Sequence, residues 1–492
     1  MRASLQGLIT EVIGYGLGAV VNRFLGIIVA CIYPILLTQA EYGRLDVIFS
    51  IEGLFVVVFY LGLDTALSRV YYETDDVVQR RRLVSTVFYS LMSFTVGSVI
   101  ILLIFSKPLA LWLYEDPRYI SYFRLALISM PFAIANGVQL VVLRLERRIY
   151  AFNLIMAGNL SVAAIVGIGS ILLFKYQAAG VLIGFIAGHL VLSIVGCILN
   201  RQALAVNPIP ERLRELLHIG LPLVPSGVAL WFIGQINRPI LVHYVSAREL
   251  GLYAIASGGA GMMALLLSAF RNAWQPFAFS IIGREGSTNV YGRALTLFTI
   301  AGAAMAATGS LFAPEGLLII NAYTQKNWSG AASSVGPLAM GTLFGIMYYI
   351  VQTGAFIVRR TGVIAMTMGT AAASSVLFNF MLIPPLGILG AAFATALGQL
   401  TALTIMYIVS QRLAPIPYQP GKLMTTILAS AAVILAGSYL QTHLLWRDLL
   451  LKLALLAAYF VTLLATRTLA GRDIAVFWKL IFSLLKKRQS NA

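Results

Sequence analysis

The sequence predicts an all-α polytopic membrane protein of about fourteen transmembrane helices, built as two parallel six-helix repeats plus a C-terminal helix pair. Three observations predict it. Of 492 residues, 59% are hydrophobic and only 11% charged, whereas a soluble domain carries about 25% charged residues. Apolar runs long enough to cross a bilayer follow one another with short links, leaving no room for a soluble domain. Finally, short similar segments recur at a separation near 210 residues.

Taken in order, the apolar runs place helices near 11–37, 45–66, 83–105, 119–143, 151–174, 178–200 and 219–243. They continue near 250–280, 292–313, 334–358, 362–383, 387–411, 423–441 and 448–468. The first run is long and leads directly into the next, so no cleavable signal peptide is visible. The repeat pairs Ala40-Glu41-Tyr42-Gly43 with Arg248-Glu249-Leu250-Gly251, Arg147-Arg148 with Arg359-Arg360, and Gly188-His189-Leu190 with Gly398-Gln399-Leu400. Six helices per repeat is an even number, so both halves enter the membrane from the same side. The expected organisation is a lobe over 1–200, a cytoplasmic linker over 201–218, a second lobe over 219–412, the extra pair over 413–470 and a basic tail over 471–492. Within the linker, Glu211 to Leu217 reads as a short amphipathic helix. The tail reads either as a helix on the anionic inner membrane surface or as a stop signal after the last span.

Charge sets the orientation. The formal net charge is +17, yet Lys and Arg sit mostly in loops, which makes them topology signals and not a nucleic-acid face. With the N-terminus inside, 23 of the 35 cations fall in cytoplasmic loops and the tail, eight on the opposite side and four within spans. Both termini are therefore expected in the cytoplasm. Cys31 and Cys197 lie inside apolar runs and the four histidines are scattered, so no disulfide framework or metal site follows. No phosphate-binding loop is present: Gly421-Lys422 lacks the upstream glycine and the following Ser/Thr. No cofactor and no built-in ATPase are expected. Energy would come from a coupling ion, H+ or Na+, from the membrane voltage, or from downstream use of the product.

The four span arginines carry the functional signal. Arg23, beside Asn22, lies about 18 Å into the first helix, near the midplane, where a cation costs roughly 2.5–3.5 kcal/mol on insertion scales. It has two readings: a cavity cation that holds an anionic cargo, or a salt bridge to Glu52 on the second helix. Glu52 has a second possible role as a coupling group. Arg271 stands in SAFRNAWQPFAF with Asn272, Gln275 and the helix-breaking Pro276, a composition that suits a cavity lining. Arg124 and Arg238 also have two readings: cavity cations that bind the cargo, or, lying close to the outer surface, side chains that snorkel to the headgroups. Glu11 and Asp64 read as interfacial acids, His189 as a packing histidine, and Gly258-Gly259-Ala260-Gly261 as a close-packing or bending site.

At LTQAEYG (37–43), LGLDTALSR (61–69), LRLERRIY (143–150), GLPLVP (220–225), LGLY (250–253) and AWQPF (273–277), the chain resembles the polysaccharide transporter family. Those are the O-antigen-type lipid-linked oligosaccharide flippases, grouped with multidrug extruders and the lipid II flippase. The resemblance spans roughly residues 7 to 412 and rests on fold motifs. It implies a V-shaped two-lobed bundle working by alternating access. The implied cargo is a polyprenyl-pyrophosphate-linked glycan, moved from the cytoplasmic to the outer leaflet for surface polysaccharide synthesis. Arg23 and Arg271 occupy places comparable to central cations of the lipid II flippase, and guanidinium groups suit a pyrophosphate. A polysaccharide polymerase and a length-control protein are implied partners, beside membrane lipids. Two alternatives stay open. A cation-coupled multidrug extruder would be expected to carry more deep acids, and a membrane glycan polymerase or ligase a larger outer loop.

Overall fold

The computed structural model describes residues 21–358, 360, 362–439 and 445–469, and not the side chains of residues 264–273, 275, 276, 280 and 445. Glu11, the first ten residues of the expected first helix, Arg359, the tail helix, and the side chains of Arg271, Asn272 and Gln275 therefore lie outside the described residues. Among those described, the chain is helical throughout, without strands. The helices are α1 (Val21–Leu36), α2 (Gln39–Phe59), α3 (Leu63–Val70), α4 (Val77–Ile104), α5 (Ser106–Tyr114), α6 (Arg118–Leu145) and α7 (Ile149–Phe174). Next come α8 (Gln177–Leu199), α9 (Arg201–Leu204), α10 (Pro210–Gly220), α11 (Val224–Gln235), α12 (Asn237–Leu241), α13 (Ala247–Ser280) and α14 (Ser287–Leu311). The last are α15 (Ala313–Thr324), α16 (Ala332–Val351), α17 (Thr353–Ile357), α18 (Gly362–Leu413), α19 (Pro420–Tyr439) and α20 (Leu445–Ala465).

Ten helices among the described residues are long and apolar enough to cross a membrane, or eleven if α2 and α3, bent by 43°, form one span. The protein is a multi-pass membrane protein. The count falls below the expected fourteen in identifiable places. Helix α1 is described only from Val21, and much of α13 lacks described side chains. The 52 residues of α18 would make a rod of about 78 Å, far beyond a hydrocarbon core of about 30 Å. Helix α18 instead breaks at Gly387 (φ 55°, ψ −130°), just after Pro384 and Pro385. Those two prolines remove backbone donors and stop the first arm. The short helix expected within the linker exists as α10, and a 3-10 turn at Leu221–Leu223 joins it to α11.

The described chain falls into two compact units. The first comprises Met1–Ala254, Ala322–Lys326 and Ser375–Ala391; the second comprises Ile255–Asn321, Asn327–Ser374 and Ala392–Ala492. In the first unit α7 and α8 form a tight antiparallel hairpin. Between helices in lipid there is little hydrophobic drive, so small residues that let backbones touch supply the packing. A Cβ added at Gly184 would stand 2.3 Å from the Ala163 carbonyl oxygen and 2.7 Å from the Gly167 backbone. Gly184→Ala is expected to destabilise the protein by about 1–3 kcal/mol, the range for overpacking a filled interface. A fall in the thermal unfolding midpoint in detergent would show it, and an unchanged midpoint would mean the hairpin yields at no cost.

The repeat noted in the sequence has a structural counterpart in this unit. Helix α2 begins at Thr38, whose hydroxyl accepts the Glu41 amide at 3.2 Å. Helix α13 begins at Ser246, whose hydroxyl accepts the Glu249 amide at 3.3 Å, while the Glu249 carboxylate accepts the Ser246 amide at 2.8 Å. Both starts are Ser/Thr-x-x-Glu capping boxes in sequence. The two helices then meet at equivalent glycines: a Cβ on Gly43 would lie 2.4 Å from the Gly251 nitrogen, and one on Gly251 would lie 2.0 Å from the Gln39 carbonyl oxygen.

In the second unit α14 packs against α16 and α19. The Ser430 hydroxyl of α19 donates to the Ala303 carbonyl at 2.9 Å, and the Tyr459 hydroxyl of α20 donates to the Ile300 carbonyl at 3.0 Å. Such bonds return α14 backbone oxygens to partners on neighbouring helices. Lys452 of α20, 2% exposed, forms an ion pair with Glu315 of α15.

Candidate functional site

The first unit gathers its buried charge at the ends of α2, α6 and α12. Arg238 is 9% exposed on α12. Its Nε donates to Asp46 Oδ2 of α2 at 2.7 Å, and one terminal nitrogen donates to Asn237 Oδ1 at 3.2 Å. The guanidinium lies 5.6 Å from the Tyr253 ring centroid, a cation–π distance, and Asn237 Nδ2 donates to the Tyr253 hydroxyl at 2.6 Å. One turn away, Arg44 donates to Glu41 at 2.6 Å and to Asp116 at 3.3 Å. The Tyr122 hydroxyl donates to the second Glu41 oxygen. Two arginines, three carboxylates and two tyrosines thus form compensated clusters. A guanidinium offers five donors in a fixed fork, and these partners occupy several of them.

Arg238 therefore corrects an expectation. It does not snorkel to the headgroups, because Asp46 neutralises it inside the protein. Arg124 remains exposed, its Nε donating to Ser106 Oγ at 2.8 Å. Arg23 is exposed on α1 and Asn22 half-buried, and no carboxylate pairs with Arg23 among the described residues. Glu52 is not its partner. The carboxylate accepts the Ser129 hydroxyl of α6 at 2.9 Å instead, so the expected Arg23–Glu52 bridge is absent. The side chains of Arg271, Asn272 and Gln275 are not described, and their neighbour Trp274 donates to Thr353 Oγ1 at 3.3 Å.

His189 sits in a pair of amides: Nδ1 lies 2.9 Å from Asn159 Nδ2 and 3.3 Å from Asn136 Nδ2. Held between two side-chain amides of neighbouring helices, the ring is part of the helix packing.

Sequence reasoning missed Asp46, Asp116 and Lys326 as structural partners. Lys326, in the turn after α15, donates to the carbonyl oxygens of Pro34, Ile35 and Leu37 at 3.0, 2.8 and 2.6 Å. These are orphan acceptors at the negative end of the α1 dipole. Partial burial pushes the lysine pKa down, since desolvation penalises the ammonium. Lys326→Met should cost about 2 kcal/mol, the order of a lost charged hydrogen-bond set. A lowered unfolding midpoint would register it, and a Lys326→Met midpoint equal to that of wild type would show that water satisfies those carbonyls equally well. The signal that could have flagged Glu41 and Arg44 was their i, i+3 spacing. Asp46 left none, its partner lying 192 residues away.

Solved structures of low sequence identity share this fold. The chain is similar to the lipid II flippase MurJ in an inward closed conformation, with a TM-score of 0.66 at 12% identity over 90% of this chain and 97% of that one. It is similar to an inward-facing multidrug resistance MATE family transporter of the MOP superfamily, with a TM-score of 0.62 at 14% identity over 78% and 97%. A third is a MOP superfamily transporter from Pyrococcus furiosus whose binding pocket is described as having reverse polarity, with a TM-score of 0.54 at 14% identity over 82% and 95%. No curated protein matches the sequence significantly. The protein is a multi-pass helical membrane protein whose fold is similar to those of the MurJ and MATE structures. By the family model matched over residues 35–328, the chain belongs to the polysaccharide biosynthesis protein family.

Proposed function

We propose that this protein is a flippase that carries polyprenyl-pyrophosphate-linked oligosaccharide units from the cytoplasmic to the outer leaflet for surface polysaccharide synthesis. It works by alternating access in a bacterial inner membrane, with both termini cytoplasmic. The observation that carries the reading is a contrast among arginines. Arg44 and Arg238 are buried and each holds a carboxylate, whereas Arg23, exposed on α1, has none among the described residues. A span cation kept without a protein anion is a place for an anion brought by the cargo. A pyrophosphate offers paired oxygens that a guanidinium binds bidentately. Arg271 is the second proposed contact, and Arg124 an auxiliary one near the surface. Glu52 is proposed as the coupling group, because it holds a hydroxyl and, among the described residues, no cation. A polymerase and a length-control protein are the proposed protein partners.

The reading is tested in liposomes that contain the protein and a fluorescent polyprenyl-pyrophosphate-linked oligosaccharide, by following the accessibility of the lipid on each leaflet. Protein-dependent exchange between leaflets supports a flippase. Extrusion of organic cations along an imposed ion gradient, with no lipid movement, would replace it with the multidrug extruder reading. Chain lengthening of the glycan would replace it with a polymerase.

A further inference from the structure

Away from the span arginines, the first unit contains a cavity of about 520 Å³ at the side expected to be cytoplasmic. It lies among the start of α4, the α6–α7 turn and the α8–α9 turn. Arg81, Arg148 and Arg201 line it with the single acid Glu146, giving the lining a net charge of +2. The walls are tied in place. Arg81 donates to Gln202 Oε1 at 2.7 Å, and Arg148 to the Leu199 carbonyl at 2.8 Å and to Glu146 at 3.3 Å. Behind them Ser85 Oγ donates to the Val206 carbonyl at 2.6 Å, and Thr86 Oγ1 accepts the Ile209 amide at 2.8 Å. The independent observation is Asn200. It lines the cavity and is only 3% exposed, yet neither Nδ2 nor Oδ1 has a hydrogen-bond partner. Buried amides are normally paired, and an orphan donor together with an orphan acceptor is costly to keep.

We propose that this cavity binds a phosphate-bearing anion: the headgroup of an acidic phospholipid, or a soluble phosphate or pyrophosphate. The phosphate oxygens meet the free N–H groups of Arg81 and Arg201 and the Asn200 amide. A hydroxyl carried by the same ligand, such as the glycerol of phosphatidylglycerol or the O–H of a protonated phosphate, donates to Asn200 Oδ1. One ligand then satisfies both orphan atoms and the excess charge. A basic pocket between helix ends on the inner face is the setting in which acidic headgroups are held. The site involves none of the span arginines, so it stands or falls separately from the flippase reading.

The test uses the full-length protein, purified in neutral detergent and stripped of lipid. Phosphatidylglycerol, phosphatidylcholine and sodium pyrophosphate are titrated separately, with native mass spectrometry and the unfolding midpoint as readouts. Wild type is expected to bind phosphatidylglycerol or pyrophosphate in preference to phosphatidylcholine. Arg81→Gln and Arg201→Gln should each weaken that binding by roughly fivefold, the loss of one surface cation. Asn200→Leu removes both orphan atoms at constant volume. It should raise the midpoint of the empty protein while weakening the ligand, an opposition that a folding defect does not produce. Pyrophosphate binding that survives Arg23→Ala but falls in Arg81→Gln belongs to this cavity and not to the span arginine. Preference for phosphatidylglycerol alone identifies a lipid headgroup, and protection by pyrophosphate alone a soluble anion. Equal binding of phosphatidylcholine, or wild-type affinity in the Arg81/Arg201 double variant, overturns the proposal.

Discussion

Arg238→Ala should destabilise the protein by about 3 kcal/mol, the lower end of the cost of stripping one partner from a buried ion pair. The guanidinium is almost wholly enclosed and meets Asp46 at 2.7 Å. Removing it leaves a carboxylate in apolar surroundings with its charge uncompensated. Asp46 is the more exposed partner, its side chain 26% accessible against 11%, so hydration recovers part of the loss. Replacing both, as Asp46→Leu with Arg238→Met, should regain most of the stability, since the pair's attraction largely offsets the cost of desolvating it. Thermal unfolding of wild type, Asp46→Leu, Arg238→Met and the double variant in detergent closes the cycle. If the double variant is as unstable as Arg238→Ala alone, the contacts to Tyr253 and Asn237 matter more than the charge pair.

Arg23→Ala should slow translocation of the lipid-linked oligosaccharide at least tenfold, while leaving the unfolding midpoint near that of wild type. The two parts of the expectation have one cause: the side chain is exposed and no carboxylate depends on it among the described residues. A charged hydrogen bond lost at the pyrophosphate is worth about 1.5–3 kcal/mol, enough for that change in rate. Arg23→Lys keeps the charge and loses the fork, so it should recover activity in part. Equal rates in all three proteins would remove Arg23 from the transport path and leave the flippase reading to stand on other residues.

Helix periodicity and apolar length made the helical membrane fold legible in the sequence, whereas the recurring Glu-x-Gly segments, placed between helices by the apolar runs, lie in the first turns of α2 and α13. The break of α18 was legible too, as the gap between the apolar runs near 362–383 and 387–411. Pairing of charges was not. Arg238 and Asp46 are adjacent only because α12 comes to rest beside α2, and neither residue's local neighbours differ from those of an interfacial charge. The salt-bridge reading of Arg23 with Glu52 failed for the same reason. Depth along a helix is readable from residue counts, but the direction a side chain faces depends on how helices rotate against one another. Thr38 and Ser246 carried a readable capping pattern that apolar-run counting overlooks, and it moved the start of α2 six residues ahead of the expected 45.

The encounter of Gly43 with Gly251 limits what the sequence can become. Each glycine lies against the main chain of the other helix, with carbonyl and amide atoms within 2.0–2.7 Å of where a methyl group would sit. Main chain cannot be swapped for a smaller neighbour, so no compensating change at the opposite position can make space. Both sites are locked to glycine, and any change of sequence has to proceed around them.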